Sequence, residues 1–247
     1  MSKIIKQCLV FLLGLAALVS SPMADDSPIY HEVFYPDKIT PAPALMLLHT
    51  SGGFDREKRK QLHQRYVDQG FVVYMPDFFK RHRLNSSKRF TTWTTYREPI
   101  EQELTQLLEI IKQDPRVDAD NIFAVGQSNG GYWASYLAAT QQVNAGASHF
   151  GVWKWPFTHN GYPAQYFDQD SHPVLVLHGQ KDYVQKMRNV EPQWDIAQQR
   201  GGDLSIHVYP DAGHSWDCDF CKKAKYDSRI TNDAINRTVA FFNQHRR

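Results

Sequence analysis

The run Gly126-Gln127-Ser128-Asn129-Gly130-Gly131 sets a serine between glycines two positions to either side. It follows the apolar segment Ile122–Val125 and precedes Tyr132–Ala139, a small-residue stretch with the composition of a packed helix. A serine on such a strand-to-helix turn adopts a strained backbone, and side chains at the flanking positions would collide across the turn. The helix that begins there favours negative charge at its N-terminus. Together these features point to Ser128 as a nucleophile that attacks a carbonyl. A G-x-S-x-G string alone is weak; the strand before it and the helix after it make it specific.

A serine nucleophile needs a base, and the base needs an orienting acid. Val174–Leu177 runs into His178-Gly179-Gln180-Lys181-Asp182, and Leu204–Tyr209 runs into Pro210-Asp211-Ala212-Gly213-His214. Asp182 and His214 therefore each follow a strand, in the chain order serine, acid, histidine that this type of turn requires. Of the 11 histidines, His149 and His207 fall within strands. His178 directly follows one and suits packing near the turn. Asp182 is the expected acid, with Asp211, Asp168 and Asp170 as alternatives. Ser51, in Thr50-Ser51-Gly52-Gly53, also follows a strand but has no glycine two positions before it. That early loop is instead where a second oxyanion donor belongs: the N–H of Asn129 plus one from Thr50 or Ser51.

These groups need a scaffold whose strand ends share one edge. Ala44–His49, Phe71–Met75, Ile122–Val125, Ala145–Phe150, Val174–Leu177 and Leu204–Tyr209 are strand-like runs. Between them lie helical patterns at 55–69, Ile100–Ile111, Tyr132–Ala139, a helix ending over Asp195–Arg200, and Thr231–Phe242. Continuously apolar strands separated by helices predict an α/β fold with a parallel sheet covered on both faces. Two stretches break the alternation. Phe78–Tyr96 is polar and basic, and Val152–His172 is rich in aromatic residues. Both leave a strand at its C-terminal end, where such sheets bind ligands. The expected pocket has apolar walls from Trp153 and Trp155 and a cationic rim from Arg81 and Arg83, suited to an acyl or aryl ester bearing a carboxylate. The alternative is a pair of solvated surface loops.

The first 24 residues read as a secretory signal. Lys3 and Lys6 precede the uncharged run Leu9–Val19, which is too short to span a bilayer, and cleavage is expected after Ala24. An uncleaved anchor is the alternative. Residues 25–247 then form one domain. Without Lys3 and Lys6 the chain carries 26 basic and 26 acidic residues, so no basic excess argues for nucleic acid or an anionic membrane surface. Cys218 and Cys221 remain after cleavage. An exported protein in an oxidising compartment favours a local disulfide between them; free thiols or a metal site are the alternatives.

On Leu48-His49 with Gly52-Gly53, Met75-Pro76-Asp77, the Ser128 turn, His178–Asp182 and Tyr209-Pro210-Asp211-Ala212-Gly213-His214-Ser215-Trp216, the chain resembles the α/β-hydrolase superfamily and, within it, the dienelactone hydrolase family. The resemblance implies a sheet of about seven or eight strands and cofactor-free hydrolysis of an ester, lactone or thioester. The lactone hydrolases that name the family carry cysteine where this chain has Ser128, a departure that looks like a general carboxylesterase. The expected partner is a small-molecule ester; no metal is expected, and the oligomeric state is left open. A prolyl-oligopeptidase-like peptidase and a non-catalytic binding protein of the same fold are the competing readings.

Overall fold

Each apolar strand has two faces to bury, so its residues alternate between two cores. The computed structural model describes residues 28–37, 41–54, 56–156, 160–219, 221 and 225–247. The expected leader lies outside them. Among the described residues there are seven strands: β1 (His31–Phe34), β2 (Ala42–Leu48), β3 (Val72–Pro76), β4 (Val117–Gln127), β5 (Ala145–His149), β6 (Val174–Gly179) and β7 (Leu204–Tyr209). They form one sheet in the order β1-β3-β2-β4-β5-β6-β7. β1 is antiparallel to β3, and every other pairing is parallel. The helices are α1 (Arg56–Val67), α2 (Arg97–Gln113), α3 (Asn129–Ala139), α4 (Met187–Gln199) and α5 (Ser228–Gln244).

Ala44, Met46 and Leu48 of β2 join Ile122 and Ala124 of β4 in one core. α2, α3 and α4 cover that face, with Leu104, Leu107, Tyr132, Trp133 and Trp194 among its side chains. Leu45 and Leu47 point the other way and join Phe123, Val125, Leu175 and Leu177 beneath α1 and α5. This period-two division is why a strand continuous in apolar residues satisfies both layers. Helix α2 packs through Ile100, Leu104, Leu107, Leu108 and Ile111, all buried at helical spacing. Helix α5 starts where the Asp227 carboxylate accepts hydrogen bonds from the N–H groups of Arg229 (2.9 Å) and Ile230 (3.2 Å).

The structure departs from the sequence expectations at three places. β1 has no counterpart among the expected strands, because its four residues, two of them polar, give too short a pattern. β4 starts five residues before Ile122, through the polar Asp118-Ala119-Asp120. Helix α4 ends where the sequence places its end, at Gln199 with Arg200 as its C-cap, and carries Pro192 inside it. The basic loop is not wholly irregular: Ser86–Trp93 forms a 3₁₀ segment whose start the Asn85 side chain caps from Ser87 N–H at 2.9 Å.

The sheet order reverses at β2, which lies between β3 and β4. Leu48 pairs with Gly126, so the loops leaving β2 and β4 emerge side by side at the C-terminal edge. Phe242 of α5 is fully buried and stacks on Phe123 of β4 at 4.8 Å, on the opposite face from α3. Phe242→Ala should therefore lower unfolding free energy by about 3–5 kcal/mol, read by denaturant titration. A loss below about 1 kcal/mol would mean that this face packs loosely.

Candidate active site

The turn between β4 and α3 is built from backbone contacts too close for side chains. A Cβ on Gly126 would lie 2.0 Å from the Gly130 carbonyl oxygen, and one on Gly130 would lie 2.1 Å from that of Leu48. Ser128 sits between them with φ +51° and ψ −108°, a conformation L-residues rarely hold. Its N–H donates to His149 O at 3.0 Å, and its carbonyl accepts from Gly131, Tyr132 and Val152 at 3.0, 3.3 and 3.0 Å. These four bonds fix the strained residue from both sides. Ser128 itself is 7% exposed.

Ser128 Oγ donates to His214 Nε2 at 3.0 Å, and His214 Nδ1 donates to Asp182 Oδ2 at 2.7 Å. An ionised carboxylate only accepts, so the imidazole carries its proton on Nδ1 and leaves Nε2 free to take one from serine. Oδ1 of Asp182 accepts from the N–H groups of Val184 (2.7 Å) and Gln185 (2.8 Å), so both carboxylate oxygens are committed. The acid and histidine loops are zipped together. Lys181 N–H donates to Ala212 O and Gln180 N–H to Tyr209 O, both at 2.9 Å. A Cβ at Gly179 would come within 2.4 Å of the Ala212 carbonyl oxygen, which accounts for glycine at the end of β6.

The alternative acids lie elsewhere. Asp211 is exposed and pairs with Lys181 at 2.6 Å. Asp168 and Asp170 belong to a turn held by Ser171. The imidazole rings of the strand histidines His149 and His178 bond elsewhere. His149 bonds Thr238 at 2.8 Å, and burial pushes its imidazole down to about 3. His178, next to last in β6, is fully buried and donates from Nε2 to Gln185 O at 2.8 Å. Burial holds it below the usual imidazole range. Burial lowers His207 as well, although it is only half-covered.

The N–H groups of Asn129 and Gly130 precede the first turn's backbone bonds, which begin with Gly131 to Ser128 O. Beside them the Thr50–Gly53 turn is closed by Gly53 N–H to Thr50 O at 3.0 Å. His49 Nδ1 braces it by donating to the same carbonyl at 2.7 Å. The Asn129 side chain donates to Ser51 Oγ at 3.3 Å and to Thr92 Oγ1 at 3.1 Å, tying the two loops across the elbow. Behind His49, burial pushes the Asp77 carboxyl up. The facing imidazole and the N–H groups of Phe79 and Lys80 outweigh that and keep it below the usual range.

A cleft of about 460 Å³ opens beside the elbow, with Arg89, Phe90, Trp93, Lys154, Trp155 and Gln185 on its walls. Val152 and Val184 also line it, and their N–H groups bond Ser128 O and Asp182 Oδ1 respectively. This arrangement corrects the expected pocket. Trp155 lines it, but Trp153 is fully buried and packs against Phe167 and Trp194. Arg81 is taken up by the buried Glu103 of α2 at 3.3 Å, which His82 also approaches at 3.1 Å. An acid buried in a helix face needs such counter-charges. Arg83 is exposed in a turn at φ +49°. The cations on the cleft are Arg89 and Lys154, which no spacing rule singles out. Cys218 and Cys221 form a disulfide shortly after His214, and among the described residues no cluster of three or more His, Cys, Asp or Glu could hold a metal.

A mostly parallel sheet with a serine on a strained strand-to-helix turn defines an α/β-hydrolase. The family model for the dienelactone hydrolase family matches residues 31–246, and the chain belongs to that family of hydrolases. It is 24% identical over 231 residues to a provisionally named carboxymethylenebutenolidase of Yersinia pestis, covering 90% of this chain and 85% of that one. A solved structure of a provisionally named dienelactone hydrolase from Klebsiella pneumoniae superimposes with a TM-score of 0.73 at 21% identity, covering 87% of this chain and 92% of that one. A dienelactone hydrolase-like promiscuous phosphotriesterase from metagenomic libraries gives 0.72 at 19% identity, covering 88% and 92%.

The glycine contacts make a direct forecast. Gly130→Ala should destabilise the fold by about 3 kcal/mol or more, since neither backbone at a 2.1 Å contact can move aside. Thermal unfolding measures it; an unchanged midpoint would show the elbow to be looser than its geometry.

Proposed function

We propose that the protein is an exported serine hydrolase that cleaves a carboxylic ester, lactone or thioester through an acyl-enzyme on Ser128. The observation that carries this is the unbroken chain Ser128–His214–Asp182, at 3.0 and 2.7 Å, on three separate loops. Folding alone does not require those three side chains to converge. His214 Nε2 takes the serine proton as Oγ attacks the carbonyl carbon. Asp182 fixes the imidazole tautomer and stabilises the imidazolium. The N–H of Asn129 and one from the Thr50–Ser51 turn receive the developing oxyanion, in the positive field at the start of α3. His214 then returns the proton to the leaving group, and water repeats the sequence on the acyl-enzyme.

Export rests on the leader of residues 1–24, and a disulfide at Cys218–Cys221 is consistent with an oxidising compartment. Hydrolysis of an ester or lactone agrees with the names of the relatives. The cleft adds a preference. Phe90, Trp93 and Trp155 offer an apolar wall, while Arg89 and Lys154 supply two positive charges to a substrate bearing a carboxylate.

Ser128→Ala should keep the fold and lower turnover about 10⁴–10⁶-fold, measured on a panel of p-nitrophenyl esters. Near-normal turnover would remove Ser128 from the mechanism. Lys154→Ala and Arg89→Ala should each raise KM for an anionic ester about tenfold, or roughly 1.4 kcal/mol, and spare its neutral methyl ester. Equal effects on both esters would leave these cations as ordinary surface.

A further inference from the structure

Gln185 holds a denser set of hydrogen bonds than its place just beyond the catalytic acid requires. Its backbone N–H donates to Asp182 Oδ1 at 2.8 Å, and its carbonyl accepts from His178 Nε2 at 2.8 Å. Its side-chain amide turns to a different loop, the one leaving β5. There Oε1 accepts from the N–H groups of Trp153 (3.0 Å) and Lys154 (3.2 Å), and Nε2 donates to Lys154 O at 2.8 Å. One residue, 7% exposed, thus touches the catalytic acid through its backbone and the cleft wall through its side chain.

The loop it grips is the one that carries Lys154 and Trp155 into the cleft. That loop has little regular structure to hold it: Val152 bonds Ser128 O, and past Trp155 the Tyr162 hydroxyl donates to the Trp155 carbonyl at 2.9 Å. Without the amide, two backbone N–H groups at Trp153 and Lys154 would lose their acceptor, at a cost comparable to any unsatisfied buried donor. The acid loop would lose its lateral support at the same time.

Resting on the assignment of Ser128, His214 and Asp182 as the catalytic set, we propose that Gln185 is a positioning residue that yokes the substrate cleft to the catalytic acid. It sets where Lys154 and Trp155 stand against substrate and, through the same residue's backbone, where the Asp182 carboxylate stands against His214. Displacement of a catalytic group by about 1 Å can cost on the order of 10²-fold in rate. The yoke therefore predicts linked losses in binding and in turnover.

The test is Gln185→Met, which keeps volume and removes the amide, with Gln185→Asn as the milder variant should the first fold poorly. Each is assayed on methyl acetate, which is too small to fill the cleft, and on phenyl benzoate, which brings aromatic rings to it. The expected result is kcat lowered about 10- to 100-fold on both esters. KM should rise at least fivefold on phenyl benzoate alone, at a temperature where circular dichroism shows the variant folded. Gln185→Asn should show the same pattern with smaller factors. Values of kcat within twofold of wild type on both esters overturn the proposal, whatever the change in melting temperature, because a purely structural amide affects stability alone. A fall in kcat without the KM split, or the split without the fall, also overturns it, since a yoke acts at both ends. A fluorophosphonate run on wild type separates the two levels of failure. No label on Ser128 removes the catalytic assignment and this proposal together, whereas labelling with unchanged variant kinetics removes the proposal alone.

Discussion

The structure depends on three polypeptide segments meeting with no side chains between them. Gly126 faces Gly130, Gly130 faces Leu48 of β2, and Gly131 lies against Gly151, where an added Cβ would stand 2.6 Å from the neighbouring Cα. That approach brings the start of α3 close against the sheet, and the serine at the apex has no relaxed conformation open to it. Its backbone strain, of order 1–3 kcal/mol, persists because the surroundings over-determine it. The four hydrogen bonds to its N–H and carbonyl come from β5, from α3 and from the loop beyond β5. A nucleophile held this way loses little freedom when it reacts.

Every other participant reaches the same sheet edge by a different local device. The acid loop is tightened by Asp182 N–H to Gly179 O and by the two N–H groups that cap its carboxylate. The histidine loop is aligned through the backbone bonds it shares with the acid loop, and Phe150 packs edge-on against the ring at 5.0 Å. The Thr50–Gly53 turn is braced by His49, whose ring is itself stacked on Phe78 at 3.8 Å. Precision comes from backbone hydrogen bonds and ring contacts, which tolerate little drift.

How much of this could be read from residues alone follows from the range of the forces involved. The elbow, the acid and the histidine are local patterns. A serine between glycines, or an aspartate a few residues beyond an apolar run, carries its own context. Helix α2 was legible for the same reason, since one apolar stripe fixes one face. The two loops that wall the cleft were legible, but not which of their residues face it. Whether Arg81 or Arg89 reaches it depends on Glu103, an acid in another helix some twenty residues away that claims Arg81 first. Trp153 and Trp155 differ by two positions, yet one is sealed in the core and the other faces the cleft, because the loop there has no repeat to read. Gln185 gave no signal at all: a glutamine between a valine and a lysine says nothing of three bonds to a loop thirty residues earlier. Strand β1 was missed because its support comes from pairing with β3, not from its own four residues.

The sheet also acts as a partition. Helix α3, buried along all eleven residues, is capped at its start by the nucleophile and belongs to the core it shares with α2 and α4. Phe150, Tyr209, Ala212 and Trp216, which surround the histidine loop, belong to the core under α1 and α5. The two halves of one proton-transfer pair therefore stand on separate cores, on opposite faces of the sheet. Loosening of the α5 side removes the support of the base while the elbow keeps its own. In such a molecule the working geometry depends on both cores at once, whereas the elbow depends on one.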